Sequence, residues 1–131
     1  MCPDEWMQDL GFNLWDRGAR SRVESLQWTM TQELLTLGAT VVIEWGTWGR
    51  QERDDLRVRA RQLGAAVELR YLDVGLDVLW ARVRARELED PPITRDDLAV
   101  WFAQFVAPDA DELSLFDQGS GEFLGPADRS V

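Results

Sequence analysis

Three observations predict an α/β domain in which a parallel sheet lies between helical layers. The run Thr40–Trp45 is continuous and β-branched, as suits a strand buried on both faces. Val67, Leu69 and Tyr71 alternate with polar neighbours and predict a second strand ending near Asp73. Between them, from about Gln51 to Leu63, Leu56, Ala60 and Leu63 share one helical face. Strand, helix and strand with short joints form a βαβ unit, expected to be parallel and right-handed.

The elements follow in order. Pro3, Asp4 and Glu5 suit the first turn of a short helix, where proline loses no hydrogen bond and acids favour the dipole. From Asp16 to Leu37 the apolar positions Ala19, Val23, Leu26, Met30, Leu34 and Leu37 keep helical spacing, and Gly38 ends the helix. Gly46 and Gly49 bracket the turn after the first strand, and Gly64 stops the next helix. Gly75 opens a helix from Leu76 to about Leu88, and Pro91 and Pro92 break the chain. Thr94 with Asp97 reads as a capping box for a helix that buries Leu98, Trp101, Phe102 and Phe105. The domain is expected over residues 1–117. The tail 118–131, QGSGEFLGPADRSV, is expected to be poorly ordered. Only two strands are legible, fewer than a parallel sheet normally needs. The chain reads as a sheet protein whose first strand is missing.

Composition narrows the chemistry. The chain has 131 residues, 45% hydrophobic, enough for one domain with a modest core. Its net charge of −10 argues against a nucleic-acid surface, which needs clustered positive charge. All 14 basic residues are arginine, so a lysine Schiff base and the lysine of a phosphate loop are excluded within these residues. There is no histidine, which removes a Ser-His-Asp triad and a His-ligated zinc. The single cysteine, Cys2, forms no internal disulfide, which fits a cytoplasmic protein. No apolar run approaches the roughly 20 residues of a membrane span, and MCPDEWMQDL lacks the pattern of a signal peptide.

The candidate functional residues lie near the expected carboxyl end of the first strand, where parallel sheets bind ligands, and on the helix after Gly75. Glu44 at the strand tip, and Asp4, are acids that could hold magnesium or take a proton from a hydroxyl; Glu44 could instead be an exposed or helix-capping acid, and Asp4, next to Glu5, reads more readily as one. Arg82 and Arg86 lie four apart on one helical face, with Arg84 turned away. They could clamp phosphate oxygens, or belong to a solvated surface with Glu87 and Glu89 as partners. Arg57, Arg59 and Arg61 read as surface. Trp45 and Trp48 flank Gly46 and could wall a substrate pocket or simply pack.

The ordered blocks CPDEWM, ESLQW, GATVVIEWGTWGRQERDDLR, AAVELRYLDV, LWARVRAR and PITRDDLAVWFAQFVAPDADELSLFD resemble a family of bacterial P-loop ATP-binding proteins identified as kinases. These are similar to chloramphenicol phosphotransferase and to the zeta toxins. The resemblance runs from about Cys2 to Asp117. It implies ATP and magnesium as cofactors and phosphoryl transfer to a small hydroxyl-bearing substrate. By the same resemblance Asp4 matches the acid that accepts the substrate proton. Arg82 and Arg86 match the lid arginines that contact nucleotide phosphates, and Arg50 a basic residue after the strand turn. Glu44 replaces the family's strand-tip Asp, and Trp45 replaces a small amide. The family's G-x-x-x-x-G-K-[ST] loop has no counterpart in this chain.

Three functional classes follow: a phosphotransferase, a non-catalytic α/β remnant, and a domain that associates with itself or a partner through an open sheet edge.

Overall fold

The computed structural model describes residues 1–118; most of the expected tail, from residue 119 onward, lies outside the described residues. Six helices follow one another: α1 (Pro3–Asp9), α2 (Arg17–Thr36), α3 (Arg50–Gln62), α4 (Leu76–Arg86), α5 (Arg95–Gln104) and α6 (Ala110–Leu113).

Local signals place most of the helix ends. Asp16 caps α2, its carboxylate accepting from the Ala19 N–H at 2.9 Å. After α2, Gly38 takes φ +79°, the Gly38 N–H donates to the Leu35 carbonyl, and the Ala39 N–H donates to the Leu34 carbonyl. Gly64, at φ +81°, repeats that pattern after α3, with Ala65 donating to Ala60. Both are Schellman closures, which need a left-handed residue that glycine supplies without strain. Thr94 and Asp97 form the reciprocal capping box at the start of α5.

The predicted parallel sheet does not form: no strand occurs among the described residues. Both predicted strands are extended segments without a ladder. In the first, the Glu44 N–H donates to the Met1 carbonyl at 3.0 Å, and the Met1 amino group donates to the Val42 carbonyl at 2.7 Å. These two bonds have the pattern of a parallel pair about Ile43, but they extend over a single residue. In the second, Val67 exchanges bonds with Asp117: its N–H donates to Asp117 Oδ2, and its carbonyl accepts from the Asp117 N–H, both at 2.8 Å. β-Branched composition favours an extended backbone, but a strand needs a hydrogen-bonded neighbour along its length. Nor is the first segment buried on both faces. Val41, Ile43 and Trp45 are half-buried, whereas Glu44 is exposed and Val42 is 65% exposed.

The core is correspondingly small. Met7, Ala19 and Val23 form its buried centre, with Trp6 and Leu14 packed against it. The buried side of α2 carries Ala19, Val23, Gln27 and Thr31, four residues apart in turn, and Trp28 beside them. This corrects the apolar stripe expected along α2: Leu26 is 52% exposed and Leu37 82% exposed. Polar side chains replace part of that stripe because the Gln27 amide oxygen accepts the Trp45 indole N–H at 2.9 Å, fixing the extended segment to α2.

A buried ion pair ties distant parts of the chain together. Arg53 Nε donates to Glu112 Oε1 at 2.5 Å and Nη2 to Oε2 at 2.9 Å, with Arg53 3% and Glu112 1% exposed. The same guanidinium donates to the Thr47 carbonyl from Nη1 and to the Val106 carbonyl from Nη2. One side chain on α3 thus holds the turn after the extended segment, the end of the α5 region and α6. Trp15, Trp101 and Trp48 adjoin in a row, with ring centroids 5.8 Å and 6.3 Å apart. α4 buries no residue and packs on α5, where Arg95 pairs with Asp77. Among the described residues no helix is long and apolar enough to cross a membrane.

Candidate functional site

The residues proposed from sequence fall into two groups. The first lies around the N-terminal end of α1 and the end of the extended segment. Asp4, in the first turn of α1, accepts from Arg20 Nη2 at 2.7 Å, and the same nitrogen reaches the Leu14 carbonyl at 3.2 Å. Asp4 is therefore an ion-pair partner between α1 and α2 and not a free acid. Glu24, one helical turn beyond Arg20, belongs to the same surroundings. Burial pushes the Glu24 carboxyl above its ordinary range, Arg20 opposes the shift, and Glu52 and Asp4 add to it. Asp4, Glu24 and Glu52 thus share one electrostatic neighbourhood around Arg20.

Glu24 escaped the sequence reading. The available signal was its four-residue step from Arg20 on a helix also carrying buried Val23 and Gln27. Its carboxyl pKa is raised by burial beside other acids, and Glu24 does not line the cleft on α4.

Glu44 is exposed, and its side chain makes no hydrogen bond or ion pair among the described residues. Its backbone, not its carboxylate, makes the contact with Met1. Trp45 is committed to Gln27. Trp48 N–H donates to Glu52 Oε2 at 3.1 Å, its carbonyl accepts from the Val106 N–H at 2.9 Å, and its ring meets Trp101. Both tryptophans therefore serve as packing contacts. Arg50 starts α3 and lies 3.7 Å from Asp54.

The second group is on α4. Arg82 is exposed and has no partner among the described residues, whereas Arg86 donates to Glu89 at 2.7 Å. Arg84, expected to turn away, lines an open cleft of about 490 Å³ together with Trp80, Val83, Pro92 and Ile93, and the acidic residues Glu87 and Glu89 share that wall. Trp80 and Arg84 stand four apart, so a register two residues from the Arg82–Arg86 pair would have found this wall. The arginines of α3 are structural: Arg57 pairs with Asp54, Arg59 lies 4.6 Å over the Trp28 ring, and Arg61 reaches the Leu115 carbonyl.

No hydrogen bond or ion pair among the described residues joins Glu44 or Asp4 to the α4 arginines. Magnesium takes one or two carboxylates and completes its shell with water and phosphate oxygens. Glu44 offers one unencumbered carboxylate, and no three acid or thiol side chains among the described residues gather as a cation site. Arg82 offers one unencumbered guanidinium for phosphate. No contact among the described residues brings Glu44 and Arg82 together, and a lysine-bearing phosphate cradle is not among them.

Residues 3–108, well over half of the chain, match the family model described as an AAA domain. No curated protein and no solved structure matches the chain significantly.

Proposed function

The chain belongs to the AAA domain family, a P-loop NTPase-like and kinase-like group, and on that premise we propose a place for it in ATP-dependent phosphoryl transfer to a small hydroxyl-bearing substrate. The resemblance to chloramphenicol phosphotransferase and the zeta toxins supports that substrate class. The family match over residues 3–108 is the observation that carries the reading. In it, Arg82 supplies positive charge to a nucleotide, Glu44 supplies a magnesium contact, and Glu24 beside Asp4 handles the acceptor proton. These 131 residues alone grip phosphate weakly, because they include no lysine and no glycine-rich loop.

Calorimetric titration of the chain with magnesium ATP tests this. The expected Kd is on the order of 1 mM, about 4 kcal/mol of binding free energy. Arg86→Ala should leave it within about twofold, because Arg86 already pairs with Glu89. Micromolar binding that collapses on Arg86→Ala would overturn the weak-grip reading. Complete absence of a heat signal from folded chain at ATP well above 1 mM would remove the nucleotide reading itself.

A further inference from the structure

The extended segment Thr40–Trp45 is hydrogen-bonded along one side only. In an extended chain the N–H and C=O of successive residues point to opposite sides. The Val42 carbonyl and the Glu44 N–H both point to Met1. The backbone groups of Val41, Ile43 and Trp45 therefore aim the other way. On that side, the N–H groups of all three and the carbonyls of Val41 and Ile43 have no hydrogen-bond partner among the described residues; the Trp45 carbonyl accepts from Thr47. The side chains of these three residues are the half-buried ones, and Trp45 is fixed to Gln27 on α2. The row is thus held in register from the helical side while its polar edge stays unpaired.

We propose that this edge docks an extended segment of another polypeptide, β-branched in its centre and basic at its ends. Such a segment would satisfy the Val41 carbonyl, the Ile43 N–H and carbonyl, and the Trp45 N–H by the pairing that Met1 already makes on the opposite side. Its central side chains would cover Val42, which is 65% exposed on the outer face. Charge selects the occupant. Glu44 stands exposed and without an ion pair on that same face, and the whole chain carries −10, so a basic segment is attracted and a second copy of this chain is repelled. The inference does not depend on the nucleotide reading.

The test is amide hydrogen exchange on the ¹⁵N-labelled chain, titrated with a short synthetic peptide of alternating valine and threonine flanked by arginines. Saturating peptide should slow exchange at the Ile43 and Trp45 amides by about tenfold or more, and leave the Glu44 amide, already bonded to Met1, within about twofold. The same peptide with alternate amides N-methylated should lose the effect, and an acid-flanked version should bind at least about tenfold more weakly. Unchanged exchange at Ile43 and Trp45, equal slowing across residues 40–46, or equal binding of the acid-flanked peptide would each overturn the proposal. So would a dimer in sedimentation whose Ile43 and Trp45 amides are protected without peptide, which would make a second copy the occupant.

Discussion

The α1–α3 half and the α4–α5 half of this molecule use arginine in opposite ways. In the first, α2 buries five residues, and Arg53 on α3 is enclosed by Glu112 and two carbonyls. In the second, α4 buries none, Arg82 has no partner among the described residues, and Arg95 makes a surface pair with Asp77. A guanidinium with its hydrogen bonds filled inside the protein is a fastener. A guanidinium left in water keeps its donors for a ligand. The contrast separates arginines that build the fold from those open to phosphate, which composition alone could not do.

The largest break in this contrast is Glu112→Ala, which strands the Arg53 guanidinium in a buried place. It should cost about 3–5 kcal/mol in chemical denaturation, whereas Arg95→Ala, which breaks the exposed pair with Asp77 on the other half, should change stability by less than about 1 kcal/mol. Equal costs for the two would mean that the buried pair does not hold the first half together.

A smaller effect of opposite sign comes from Thr31 on α2. Its hydroxyl is buried and has no hydrogen-bond partner among the described residues. Thr31→Val removes that orphan at nearly constant volume and should stabilise the chain by about 1 kcal/mol. A destabilising result by the same denaturation measurement would show that the hydroxyl is satisfied in solution.

The smallest effect is pH-dependent. Glu24 has its pKa raised in the folded state, first by burial. The folded chain therefore binds this proton more readily than the unfolded chain does. Its favourable contribution is fully present below the ordinary value of 4.5 and is lost as pH rises through the raised folded value. Glu24→Gln should accordingly be slightly more stable than the parent at neutral pH, with the difference shrinking towards acid. A constant difference from acid to neutral pH would mean that Glu24 titrates alike in both states.

Much of the helical framework could be read directly from sequence, because its signals are local. Gly38 and Gly64 close α2 and α3 by left-handed residues, and Thr94 with Asp97 caps α5. The site was legible only in part. Glu44 and Arg82 could be picked out by residue type and spacing, and both are exposed with no ion pair among the described residues; Glu24 and Arg84 could not, since one owes its shifted carboxyl to neighbours on other elements and the other its cleft to Pro92 and Ile93.

Spacing and composition within a few residues set the first five helices and an arginine-only basic chemistry, but they gave no sign of α6, and they pointed to two strands where no strand forms among the described residues. Tertiary structure decided what lies beside each segment. Met1 pairs with one over a single residue and Asp117 with the other, and neither contact grows into a ladder. It also joined Arg53 to Glu112, 59 residues away. Pattern can make a chain extended or a residue charged. Whether a hydrogen bond or an ion pair completes it depends on which distant atoms the fold brings within reach.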